Sequence, residues 1–93
     1  MLQAPDRTHQ RLLDNGFQYE SERSLSYKAF YSKKDGIFEY QVYYECHGNL
    51  GKYNLIRCCG GECKYLRPPK SQSDYLTPSE FSYLLKKLDN KWR

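Results

Sequence analysis

The sequence predicts an α+β fold: an antiparallel β-meander of three to four strands with a short helix before it and an amphipathic helix after it. Three observations carry that expectation. A period-two alternation of β-forming residues begins near Leu25, glycine-containing turns interrupt it at intervals, and a capped pattern of helical period begins at Pro78. Ninety-three residues suit one domain spanning 1–93, with a thin core at that length.

Leu2, His9, Leu12, Leu13 and Phe17 recur at roughly helical spacing, and Gly16 follows Asp14-Asn15, where a left-handed C-cap would stop a helix. This predicts a helix over about 5–15, with Phe17 folded back on its last turn. Strands follow over about 24–33 and 37–47. In the first, Leu25, Tyr27, Ala29 and Tyr31 alternate with Ser26, Lys28, Phe30 and Ser32; in the second, Phe38, Tyr40, Val42, Tyr44 and Cys46 alternate with polar residues and Tyr43. Asp35-Gly36 between them is a strong two-residue turn signal, because both residues tolerate positive φ. Setting Lys34 opposite Ile37 pairs Tyr31 with Tyr40, Ala29 with Val42, Tyr27 with Tyr44 and Leu25 with Cys46, so apolar meets apolar on one face.

Gly48-Asn49-Leu50-Gly51 reads as a four-residue loop that sets Lys52 beside His47 and leads to a strand over about 52–59. Gly60-Gly61 then turns the chain into a strand over about 62–67. Arg57 and Lys64 face each other in this pairing, an unfavourable like-charge contact that a bulge near Cys58 or a frayed edge would relieve. Pro68 to Ser73 is a linker by composition. Thr77-Pro78-Ser79-Glu80 opens the last helix, over about 78–92, as a capping box with proline at the first helical position. Phe81, Leu84, Leu85, Leu88 and Trp92 share one stripe of it and suit the inner face of the sheet.

Ten Tyr against four Phe and one Trp place a hydroxyl on much of the apolar surface, which favours half-buried aromatic positions. The formal charge is +4, and its excess lies from Lys64 onward. A modest basic end suits an acidic partner, and equally a solvated helix face. The polar start resembles neither a signal peptide nor an anchor, and no run reaches the ~18 apolar residues of a membrane helix. A cytoplasmic protein without membrane association is expected.

Cys46, His47, Cys58, Cys59 and Cys63 raise the possibility of structural zinc. The spacing opposes it, since Cys58 falls opposite Gln41, five residues and roughly 16 Å along the strand from Cys46. Neighbouring residues such as Cys46 and His47 also point to opposite faces, which disfavours a cysteine-histidine nucleophile as well. Cys58 and Cys63 form a better pair: across a two-residue turn they become non-hydrogen-bonded cross-strand neighbours, within disulfide reach, and remain thiols in a reducing compartment. Glu39 and Glu45 stand about 20 Å apart on an extended strand, too far for paired-carboxylate chemistry. The glycines sit in hairpin turns and not in a phosphate-cradling loop. No catalytic residue, metal or cofactor is expected.

The outer face of the sheet is the exception to a purely structural account. It carries Phe30, Ile37, Tyr43, Ile56 and Tyr65, bordered by Lys28, Lys34 and Arg67, and is more aromatic than a solvated face requires. Two arrangements compete: the N-terminal helix covers it as a second small core, or part of it is open for contacts. The open arrangement predicts a small non-enzymatic binding protein, an inhibitor, adaptor or regulator like many phage or plasmid accessory proteins, whose partner is another protein met through Lys28, Phe30, Lys34, Tyr43, Ile56, Tyr65 and Arg67. The alternative is nucleic-acid binding by the same Lys/Arg-ringed Tyr surface. A zinc protein ranks third.

Overall fold

A computed structural model describes residues 2–47, 50–68 and 74–91. In chain order the elements are α1 (Asp6–Asp14), β1 (Gln18–Tyr19), a single 3-10 turn (Ser21–Arg23), β2 (Lys28–Asp35), β3 (Phe38–His47), β4 (Leu50–Cys59), β5 (Glu62–Tyr65) and α2 (Pro78–Lys91). The strands make one antiparallel meander in the order β1-β2-β3-β4-β5, so the α+β fold has five strands where three to four were expected.

Helix α1 ends as its sequence dictates. Gly16 adopts φ 88°, its N–H bonds the Leu13 carbonyl at 3.0 Å, and the Phe17 N–H bonds the Leu12 carbonyl at 2.9 Å. This double closure turns Phe17 back into the core. Lys33 donates to the Asn15 carbonyl at 2.6 Å, placing a cation at the negative end of α1. The additional strand, β1, is two residues long and carries no period to read; Gln18 pairs with Ser32 and Tyr19 with Tyr31.

Residues 24–27 do not continue β2, which starts at Lys28 and not at 24. Ser24 is buried, and its hydroxyl donates to the Glu20 carbonyl at 2.8 Å while accepting the Phe30 N–H at 3.0 Å. The Leu25 N–H then bonds the Lys28 carbonyl at 2.7 Å across a turn. A side chain that bonds nearby backbone competes with ladder formation, and here it outweighs the alternation. Leu25 and Tyr27, expected on the inner face, are exposed.

The turn between β2 and β3 is Gly36-Ile37, flanked by the paired Asp35 and Phe38, one residue later than expected. Gly36 takes φ 61°, and glycine at the first central position suits a type II′ turn. Tyr31 therefore pairs with Val42, Ala29 with Tyr44 and Lys33 with Tyr40; Tyr31 and Tyr40 are not directly opposite. Side chains alternate with period two, so a slip of two residues changes each neighbour and keeps each face. Ile37, expected on the outer face, sits in the turn and is 76% exposed.

A second slip of two occurs between β3 and β4, where Glu45 pairs with Lys52 and Cys46 with Gly51. The strands thus run up to His47 and Leu50 where a loop over 48–51 was expected; Gly48 and Asn49 lie outside the described residues. Across the Gly60-Gly61 turn, Arg57 does face Lys64, and the pairing passes through Cys58 and Cys63 without a bulge. Lys64 is exposed, and the Arg57 guanidinium lies 4.9 Å from the Phe38 ring centre. Solvent and the ring face offset the like-charge contact.

Both helices pack on the same side of the sheet. Ala29, Tyr31, Tyr40, Val42, Tyr44, Tyr53 and Leu55 form the inner face, against which α1 and its leading arm set Leu12 and Ala4 and α2 sets Phe81, Leu84 and Leu85. Fully burying Leu12 contributes about 2 kcal/mol. The Tyr31 hydroxyl accepts the Ala4 N–H at 3.0 Å and lies 2.6 Å from His9 Nδ1, while Arg11 reaches the Ser82 hydroxyl at 3.1 Å, tying α1 to α2. At the start of α2, Glu80 N–H donates to the Thr77 hydroxyl at 3.2 Å and Thr77 N–H to the Glu80 carboxylate at 3.0 Å, a complete capping box. Tyr53 stacks on Phe81 at 4.4 Å and exchanges two backbone hydrogen bonds with Leu76. Trp92 and the linker residues 69–73 lie outside the described residues. Among the described residues, no helix is long and apolar enough to cross a membrane.

Candidate functional site

With α1 on the inner side, neither helix covers the outer face, which removes the arrangement in which α1 buries it. Four cross-strand rows make up this face. Lys34, Glu39, Cys58 and Cys63 form the first; Ser32, Gln41, Ile56 and Tyr65 the second; Phe30, Tyr43 and Asn54 the third; Lys28, Glu45 and Lys52 the fourth.

Phe30 and Ile56 form its floor, at 1% and 5% exposure. Phe30 meets the Tyr43 ring edge-on at 4.7 Å and lies beneath the Arg23 guanidinium at 3.9 Å. Tyr43 is half-buried and Tyr65 is 55% exposed, so these two rings supply the accessible aromatic surface. The Arg67 guanidinium lies 5.2 Å from the Tyr65 ring centre, donates to Asn54 Oδ1 at 2.7 Å and also bonds the Asp74 carbonyl. Lys28 lies 4.4 Å from the Tyr43 ring centre and 3.5 Å from the Glu45 carboxylate. Lys34 is exposed beside its cross-strand neighbour Glu39.

The structure therefore brings Lys28, Phe30, Tyr43, Ile56, Tyr65 and Arg67 to one face with Lys34 at its far row, and sets Ile37 apart in the turn. It also adds carboxylates to the surface expected to be Lys/Arg-ringed. Glu39 and Glu45 lie between the lysines, and Glu20 accepts the Ser32 hydroxyl at 2.6 Å. Their alternation along β3 was readable from the sequence. Tyr75 was not: it follows the linker with no periodic pattern, and reaches this side through Lys52, whose ammonium is 4.9 Å from its ring centre.

Cys58 and Cys63 are joined as a disulfide across β4 and β5, whereas Cys46 and Cys59 are not disulfide-bonded. Cys58 pairs with Glu39 and not with Gln41, seven residues along β3 from Cys46, so the cysteines stand farther apart than the expected pairing put them. Among the described residues, no three His, Cys, Asp or Glu side chains gather where they could hold one metal ion. Compared with family models, curated proteins and solved structures, the chain matches none.

Proposed function

We propose that this chain is a small non-enzymatic binding protein, an inhibitor, adaptor or regulator, that engages a protein partner through the outer face of its sheet. The supporting observation is an apolar strip, Phe30, Tyr43, Ile56 and Tyr65, that neither α1 nor α2 covers: the Arg23 guanidinium caps Phe30, and the Tyr43 and Tyr65 rings stay accessible. Interface centres favour such rings over a desolvated floor, with a polar rim provided here by Lys28, Lys34, Gln41, Asn54 and Arg67.

The charge pattern favours protein over nucleic acid. Phosphate binding needs uncommitted cations, yet Lys28 is paired with Glu45, Arg67 is held by Asn54 and the Asp74 carbonyl, and Glu39 and Glu45 share the surface. Two measurements test the proposal together. Capture of the partner from the native host by the wild-type chain is expected to fall at least tenfold with Tyr43→Ala/Tyr65→Ala and to be unchanged with Tyr83→Ala on the exposed side of α2. Unchanged capture by the first variant overturns the outer-face assignment. Binding to mixed-sequence DNA or RNA that weakens steeply with salt would favour the nucleic-acid alternative instead.

A further inference from the structure

We infer that the free edge of β5 pairs antiparallel with β5 of a second copy, forming a two-fold dimer whose sheet continues across both molecules. This inference concerns the sheet edge and does not depend on the outer-face proposal.

Strand β5 is the last in the sheet, all four of its residues are exposed, and among the described residues nothing pairs with its outward edge. Cys59 and Glu62 flank the two-residue Gly60-Gly61 turn and form a hydrogen-bonded pair. Glu62 and Lys64 therefore direct their backbone groups toward β4, and Cys63 and Tyr65 direct theirs outward. Such a row of unpaired donors and acceptors is a template for another strand.

Charge selects both the occupant and the register. Glu62 and Lys64 are two residues apart, so they share the inner side of the sheet. In a two-fold pairing centred on Cys63, the Cys63 residues of the two copies exchange backbone hydrogen bonds. Glu62 of each copy then lies opposite Lys64 of the other, and Tyr65 lies opposite Gly61. Opposite charges in directly facing positions are favourable, and the axis makes the contact twice. The neighbouring register, centred on Lys64, sets lysine against lysine and is disfavoured. Lysine on an edge usually blunts pairing; here Glu62 gives Lys64 a mate that only a second copy presents in register. The same contact gives Lys64, which faces Arg57 within its own sheet, a carboxylate on its other side. Because the axis is perpendicular to the sheet, the two outer faces stay on one side.

Pairing five residues per copy belongs to the small, weak class of interfaces, so the dimer is concentration-dependent. The test is sedimentation equilibrium of the full chain from roughly 1 μM to 1 mM, with Cys46 and Cys59 first alkylated so that no intermolecular disulfide contributes. Wild type is expected to dimerise, and Lys64→Glu, which sets two glutamates opposite Glu62, to dissociate roughly tenfold or more readily. Lys64→Glu should leave the monomer folded, since it turns the Arg57 contact attractive. The double exchange Glu62→Lys/Lys64→Glu restores both cross-copy pairs and is expected to recover the wild-type dissociation constant to within about threefold. A wild type that stays monomeric to the highest concentration, a Lys64→Glu variant that dimerises like wild type, or a double variant that fails to recover would each overturn the inference.

Discussion

The side chains of Tyr31, Tyr44 and Tyr53 are buried against the inner face, and burial raises all three phenols above their ordinary value of 10. Tyr44 is pushed up to about 12, first by desolvation and then by its hydrogen bond to Cys46. The Ala4 N–H opposes the shift at Tyr31, and a hydrogen bond from Thr8 opposes it at Tyr53. The unfolded chain therefore releases these protons near pH 10 while the folded chain still holds them, so unfolding is favoured as the pH climbs. These three phenols add no pH dependence below pH 10, and stability should fall between pH 10 and 12 in a series of urea unfolding curves at constant ionic strength. A midpoint unchanged to pH 11 would mean that these hydroxyls are solvated. Their burial was foreseeable in kind from a chain with ten Tyr, but the partners were not. The Ala4, Thr8 and His9 contacts depend on α1 docking beside Tyr31, which no spacing along the chain encodes.

At the scale of elements, the Tyr44 ring of β3 leaves no room for a side chain at Gly51 of β4. A Cβ there would sit 2.9 Å from Cε1 of Tyr44, whose ring is also held 5.0 Å from that of Tyr53. Gly51→Ala should therefore lower unfolding free energy by roughly 1 to 3 kcal/mol in chemical denaturation, outweighing the usual gain from replacing a strand glycine. An equal or raised stability would contradict this packing. The elements best read from sequence were those fixed by local chemistry: the Thr77-Glu80 capping box opening α2, the Gly16 stop of α1 and the Gly60-Gly61 turn. Those misread were decided by contacts that the two-residue period does not encode. Ser24 ended the alternation before Lys28 by bonding Phe30, and Asp35-Gly36 lost the turn to Gly36-Ile37, which brings Ala29 opposite Tyr44 and Tyr31 opposite Val42.

At the scale of the whole molecule, the two register slips were harmless to the sorting of faces because each was a step of two. Phe30, Tyr43, Ile56 and Tyr65 remained together, and the separation of Cys46 from Cys58 grew from five residues to seven. Which side α1 would take was not legible, since Leu12 and Leu13 offer an apolar stripe that either face of an aromatic sheet could accept. Docking on the inner side gives the molecule one side covered by both α-helices and another on which the Tyr43 and Tyr65 rings stay accessible. That asymmetry carries the proposed function. Its most direct test is an amide chemical-shift map of the isotopically labelled chain, titrated with the partner it captures. Shifts are expected at Lys28, Phe30, Tyr43, Ile56, Tyr65 and Arg67, leaving α1 and α2 unperturbed; shifts confined to the two helices would contradict it.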